Sequence, residues 1–200
     1  MRSYFAISLL GLILSVFTSG CSLKQEPQSQ IKNYETPGNL KSTQSIGCMS
    51  VSKLVNTYTP PDIYNGMVKC AREGRYSEGV YLFALAGVYT AYDRSRVFDK
   101  SAHQAHTVLP KNALNAIEEP NKSAFWKEVK NTLGNSKELL PVCREIARVG
   151  APDYHPEYMI QHGMGATLGR NKTDGLVSSF NSDKAWKQAL LSYLNCPIPS

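Results

Sequence analysis

The chain has 200 residues, 42% hydrophobic and 19% charged, with a formal net charge of +6. Its basic residues are dispersed, from Lys69, Arg72 and Arg75 through Arg94, Arg96 and Lys100 to Lys122, Lys127, Lys130, Arg144 and Arg148. Without a basic run or glycine–aromatic interleaving, nucleic acid is excluded as the expected partner, and the charge predicts a solvated, mildly basic surface, a basic face for an acidic protein partner or anionic headgroups being the alternative.

Met1-Arg2-Ser3 opens the chain, and Tyr4–Phe17 follows without a charge. Thr18-Ser19-Gly20 then precedes Cys21. A short basic start, an apolar run and small residues at a cut site predict a secretory signal peptide over residues 1–20. Fourteen uncharged residues are short of the ~20 a membrane span needs. Ser19-Gly20-Cys21 resembles the lipobox of bacterial lipoproteins, with Thr18 where that family usually has Leu. The resemblance covers the first 21 residues. It implies that Cys21 is acylated, palmitate included, and becomes the first residue of the mature protein. Ser22, where Asp commonly signals inner-membrane retention, implies an outer-membrane anchor facing the periplasm.

Removing residues 1–20 leaves 180 residues with 21 basic and 16 acidic side chains, a balance of +5. Residues 22–47 are polar, and with Cys21 they read as an acylated, flexible tether over 21–47. About 25 residues of such coil span roughly 25–30 Å. The folded domain is expected over 48–200.

Within that domain the apolar spacing predicts helices. Thr59-Pro60-Pro61-Asp62 reads as a helix start, with both prolines in the first turn. Ile63, Met67 and Cys70 follow on one face, and Gly74 stops the helix. A second helix opens at Ser77-Glu78 and is apolar nearly all round from Val80 to Tyr92, so it should be central and buried. Ala84, Gly87 and Ala91 on one side of it would admit a close neighbour. Asp99 caps a third helix that Pro110 should interrupt before Ile117. Phe125, Trp126, Val129 and Leu133 mark a fourth. Leu139 to Ala147 mark a fifth, ended by Gly150. Tyr158 to Met164, with Pro156 in the first turn, mark a sixth, and Ser182–Leu194 the last. Valines and isoleucines do not alternate, so strands are not expected. The fold class is all-α, a compact bundle of about six or seven helices.

Ala71, Gly74, Tyr76, Leu82, Leu85, Ala86 and Tyr89 make the first two helices resemble a tetratricopeptide or Sel1-like hairpin. The likeness covers about 40 residues and is a single copy of a repeat that needs about three for stability.

Cys48, Cys70, Cys143 and Cys196 are even in number, and the inferred compartment is oxidising, so disulfides are expected to staple the bundle. Three pairings are open. Cys48–Cys70 with Cys143–Cys196 is preferred because it closes the shorter loops.

Chemistry is sparsely signalled. His103 and His106 lie three apart on one presumed helix, and His155 and His162 seven apart, but neither pair has metal-site spacing with nearby carboxylates. A metal-assisted hydrolase is the least supported reading. There is no Gly-x-Ser-x-Gly elbow and no phosphate-cradling loop. The expectation is a protein that is not an enzyme and needs no cofactor. Arg94 and Arg96 at the end of the second helix, beside Asp93, read as local salt bridging and capping or as partner contacts, and Tyr154, His155 and Tyr158 in an exposed-looking turn are candidate partner contacts whose tyrosines would otherwise close the end of the core. Lipobox, tether and small stapled domain together resemble lipoprotein immunity proteins, which neutralise toxins delivered by rival bacteria through type VI secretion. That implies a membrane-tethered, protein-binding inhibitor in the periplasm. The alternative is an envelope adaptor or assembly lipoprotein using a helical-repeat-like surface.

Overall fold

A computed structural model describes residues 35–170 and 173–197. The signal peptide and Cys21 lie outside them. The described chain forms eight α-helices and no strand: α1 (Pro60–Arg72), α2 (Tyr76–Arg96), α3 (Ala105–Asn115), α4 (Asn121–Leu133), α5 (Ser136–Val149), α6 (Glu157–Ile160), α7 (Met164–Thr167) and α8 (Ser182–Leu194). Among the described residues no helix is long and apolar enough to cross a membrane.

Local chemistry sets the helix ends. Thr59 stands before the two prolines, and its backbone N–H and hydroxyl donate to the Asp62 carboxylate at 2.9 and 2.7 Å. At the other end of α1, Gly74 takes φ +73°, which a side chain would resist. There Arg75 N–H reaches Cys70 O and Gly74 N–H reaches Ala71 O, a Schellman closure. Gly150 ends α5 in the same left-handed half of backbone space.

α2 runs down the middle, about 31 Å long at 1.5 Å per residue, and packs against α1, α3, α4, α5 and α8. Its buried residues cover every face, Val80, Leu82, Phe83, Leu85, Val88 and Tyr89 among them. A helix enclosed in this way belongs to a bundle; in a repeat solenoid each hairpin touches only its neighbours. The α1–α2 hairpin therefore forms, but α3, α4, α5 and α8 pack onto it. Gly87 admits a close neighbour: a Cβ there would sit 2.0 Å from the Tyr193 ring, so α8 docks by laying that tyrosine on bare backbone.

Two disulfides, Cys48–Cys70 and Cys143–Cys196, staple the bundle. The first ties the incoming segment to α1. The second ties the chain just beyond α8 to α5.

Three expectations are corrected. Pro110 does not interrupt α3, and Pro141 also lies inside α5; in both helices buried side chains on the core face (Ala105 and Leu109; Leu139 and Val142) hold the element across the lost hydrogen bond. The sixth helix is broken into α6 and α7 at Gly163, whose backbone is extended (φ −76°, ψ 153°) and passes so close to Asp99 that a Cβ would lie 2.4 Å from its Oδ2. The expected tether is too long: residues 35–47 engage the domain. Asp62, fully buried, accepts from the Ser42 hydroxyl (2.6 Å), Thr43 N–H (2.7 Å) and hydroxyl (3.1 Å), and Gln44 N–H (2.7 Å). Leu40 N–H donates to Tyr158 O at 3.0 Å. Polar composition predicted a free coil, but these polar groups converge on one carboxylate.

Candidate functional site

The last turn of α2 brings three of the five candidate contact residues together, and turns them inward. Asp93 is fully buried and Arg96 nearly so. Arg96 Nε donates to Asp93 Oδ1 at 2.8 Å, and its Nη2 stands 2.7 Å from the same oxygen. The Tyr154 and Tyr158 hydroxyls donate to Oδ2 at 2.9 and 2.7 Å. The guanidinium also lies between the Tyr92 and Tyr154 rings, 5.1 and 5.2 Å from their centroids. Burial pushes the Asp93 carboxyl above its ordinary range, opposed by the Arg96 charge and the two tyrosines. Burial and the adjacent carboxylate push both tyrosine hydroxyls well up.

The spacing explains the arrangement. Asp93 and Arg96 are three apart on one helical face, and Tyr154 and Tyr158 come from the segment that follows α5. Arg96 and Tyr158 are consequently structural rather than partner contacts, and the Tyr154 hydroxyl is spent on Asp93. Arg94 and His155 are exposed. His155 Nε2 contacts Asp174 O at 2.9 Å and its Nδ1 lies 3.3 Å from Glu157.

The other histidines disperse. His103 Nε2 meets Val97 O at 2.9 Å, and His106 Nδ1 meets the Thr90 hydroxyl at 2.8 Å. His162 Nδ1 meets Asn39 Oδ1 at 2.9 Å. Burial, followed by the Arg94 charge, lowers the His106 pKa. Among the described residues no three His, Cys, Asp or Glu side chains stand close enough to share a metal ion.

The Asp93 knot fixes what lies beyond it. Leaving α2, the chain pairs Phe98 N–H with Gly175 O and Val177 N–H with Arg96 O, both at 2.9 Å. Asp99 then accepts from Ser101 N–H (2.9 Å), its hydroxyl (2.6 Å) and Gly165 N–H (2.8 Å), while Met164 N–H donates to Ser101 Oγ at 2.8 Å. Burial opposes ionisation of Asp99, but these donors outweigh it and hold the carboxyl below its usual range. In the Gly163-Met164-Gly165 turn, Met164 and Gly165 thus direct their N–H groups at the protein's own side chains, and Gly163 N–H donates to Ile160 O.

A cleft of about 730 Å³ opens here. Val97 and Ile160 are buried at its base. Phe98, Met164 and Leu168 stand around it, exposed to 73%, 55% and 51%, with the exposed cations Lys100 and Arg170 at the rim. Large apolar side chains are individually common on surfaces, but three around one cleft are a patch. Sequence reasoning missed them. Their signal was faint: Phe98 falls in the two-residue gap between the end of α2 and the Asp99 cap, where no helical face explains an aromatic.

No protein-family profile, curated protein or solved structure matches this chain.

Proposed function

We propose that this is a membrane-tethered, protein-binding lipoprotein of a bacterial envelope, held by acylated Cys21, with its domain in the periplasm. The observation that carries the binding reading is the apolar cleft of Phe98, Met164 and Leu168, flanked by Lys100 and Arg170. The occupant it suits is a partner protein presenting apolar side chains bordered by carboxylates. Two disulfides accord with an oxidising compartment. The finer reading is an immunity protein that blocks a toxin acting in the periplasm.

The test is crosslinked capture from intact envelopes of the full chain and of Phe98→Asp/Leu168→Asp, both verified as folded by circular dichroism. A partner retained by the first and lost by the second is expected; equal recovery from both, or none from either, overturns the docking face. Deletion cells grown in contact with their parent strain separate the finer readings. Killing of the deletion cells supports immunity, whereas unimpaired survival with capture of an envelope-assembly component points to the adaptor.

A further inference from the structure

We infer that the furrow between α3 and α4 is a second docking site, for an acidic polypeptide segment carrying a large apolar side chain. Two clefts of about 560 and 440 Å³ share Leu114 and Trp126 and so form one furrow. It has no lining residue in common with the Phe98 cleft. The inference rests on the reading of the chain as a protein-binding module but uses a different face of it.

The floor is aromatic. The Trp126 ring meets Phe83 edge-on, at 6.1 Å between centroids and 88° between planes, and Tyr193 and His106 complete it, 5.7 Å apart. One edge of the indole is therefore anchored in the core while the residue remains 40% exposed. Tryptophan so placed offers a large contact area at little entropic cost.

The rim is cationic. Lys111 comes from α3, and Lys122, Lys127 and Lys130 from α4. Residues 122, 126, 127 and 130 recur at i, i+4, i+5 and i+8, which puts the indole and three amines on one helical face. Among the described residues none of the four lysines enters an ion pair. Glu119, the one carboxylate lining the furrow, accepts from Ser123 N–H at 3.2 Å. Like charges along one face repel, and an anionic occupant relieves that repulsion as it docks. The mixed chemistry chooses between occupants: a headgroup phosphate would pair with the lysines and offer the indole no apolar partner, whereas a chain segment can lay an apolar side chain on the aromatic floor and pair carboxylates with the rim.

The probe is a fluorescein-labelled peptide, Asp-Glu-Phe-Glu-Asp-Glu, titrated against the full chain in nonionic detergent and read by polarisation. Saturable binding is expected. It should weaken with added salt and drop at least about tenfold in Lys122→Glu/Lys127→Glu with the melting temperature unchanged. Trp126→Leu, which keeps an apolar contact on Phe83, should weaken it without abolishing the salt dependence. Absence of saturable binding, an affinity indifferent to the charge reversal, or capture of phosphatidylglycerol vesicles through these lysines in place of the peptide would each overturn the inference. Loss of the Phe98 face in envelope capture leaves this peptide titration unaffected, so the two readings fail separately.

Discussion

Replacing Arg96 with Met tests whether the end of α2 is held by a buried charge pair. The substitution keeps a long apolar stem but removes the cation paired with Asp93, leaving a fully buried carboxylate with two tyrosine hydroxyls. Breaking a buried pair by removing one partner costs about 3–5 kcal/mol, because the remaining charge is uncompensated. For a domain of this size each kcal/mol moves the melting temperature by about 2–4 °C, so a fall of roughly 6–20 °C is expected. The sign with pH is fixed as well. Asp93 is already raised in the folded protein, and without Arg96 it rises further. A carboxyl whose folded pKa exceeds its unfolded value of about 3.9 binds protons more readily when folded. Its stability contribution is then greatest below that unfolded value and is lost as pH rises through the folded pKa. Urea unfolding of Arg96→Met should therefore show a deficit that narrows as pH falls from neutrality toward the carboxylate range. A deficit under about 1 kcal/mol, or one that widens on acidification, would refute the account of the knot.

Asp62 should behave in the opposite sense. Burial works against its charge, but hydrogen bonds from Ser42, Gln44 and Thr59 outweigh that and lower the pKa, so its contribution is present above the usual carboxylate range and lost as pH falls through the folded pKa. Asp62→Ala should flatten the acid limb of the stability profile, cost about 2–4 kcal/mol, and speed tryptic cleavage at Lys41; unchanged cleavage would show that residues 42–44 are held by something else. Gly87→Ala, a change that usually favours a helix, should destabilise by about 1–3 kcal/mol, because the new methyl meets the Tyr193 ring. The loss should be less than additive with Tyr193→Ala in urea melts. Removing Cys143–Cys196, which spans 53 residues, should cost about 0.8 kcal/mol more than removing Cys48–Cys70, which spans 22, if restriction of the unfolded chain dominates. Alanine pairs compared in urea at one pH decide that, and an equal or reversed order rejects it.

Helix positions were legible because their determinants are local. Thr59 before two prolines, Gly74 and Gly150 after apolar runs, and Ser182 before Trp186 act within a turn of where they stand. The all-round apolar character of Val80–Tyr92 announced the central helix for the same reason. What remained hidden depends on residues far apart in the chain. Asp93 finds its tyrosines 61 and 65 positions later, and Asp62 draws its donors from 18 to 20 positions earlier. A helix-end arginine followed much later by a tyrosine-rich turn looks the same on paper whether the groups face solvent or each other. Only burial separates a contact surface from a polar knot, which is why Arg96 and Tyr158 carried both readings on paper and Phe98 carried neither.

The knot and the cleft beside it are physically linked. A buried ion pair is a weak source of net stability when set against a well-packed apolar alternative, so the Asp93–Arg96 pair is better understood by what it positions. Its two tyrosines tie the segment that follows α5 to the end of α2. From that anchor Asp99 and Ser101, joined to each other by the Ser101 hydroxyl at 2.6 Å, hold the Gly163–Gly165 turn by accepting from Gly165 N–H and Met164 N–H, both at 2.8 Å. Phe98 and Met164 are therefore presented from backbone that is already fixed. A docking face built this way loses little conformational entropy when a partner covers it, and preorganisation of that kind raises affinity without adding a contact. On this reasoning Tyr158→Phe, at a residue that does not line the cleft, should weaken partner capture through the Phe98 face while leaving peptide binding in the α3–α4 furrow unchanged.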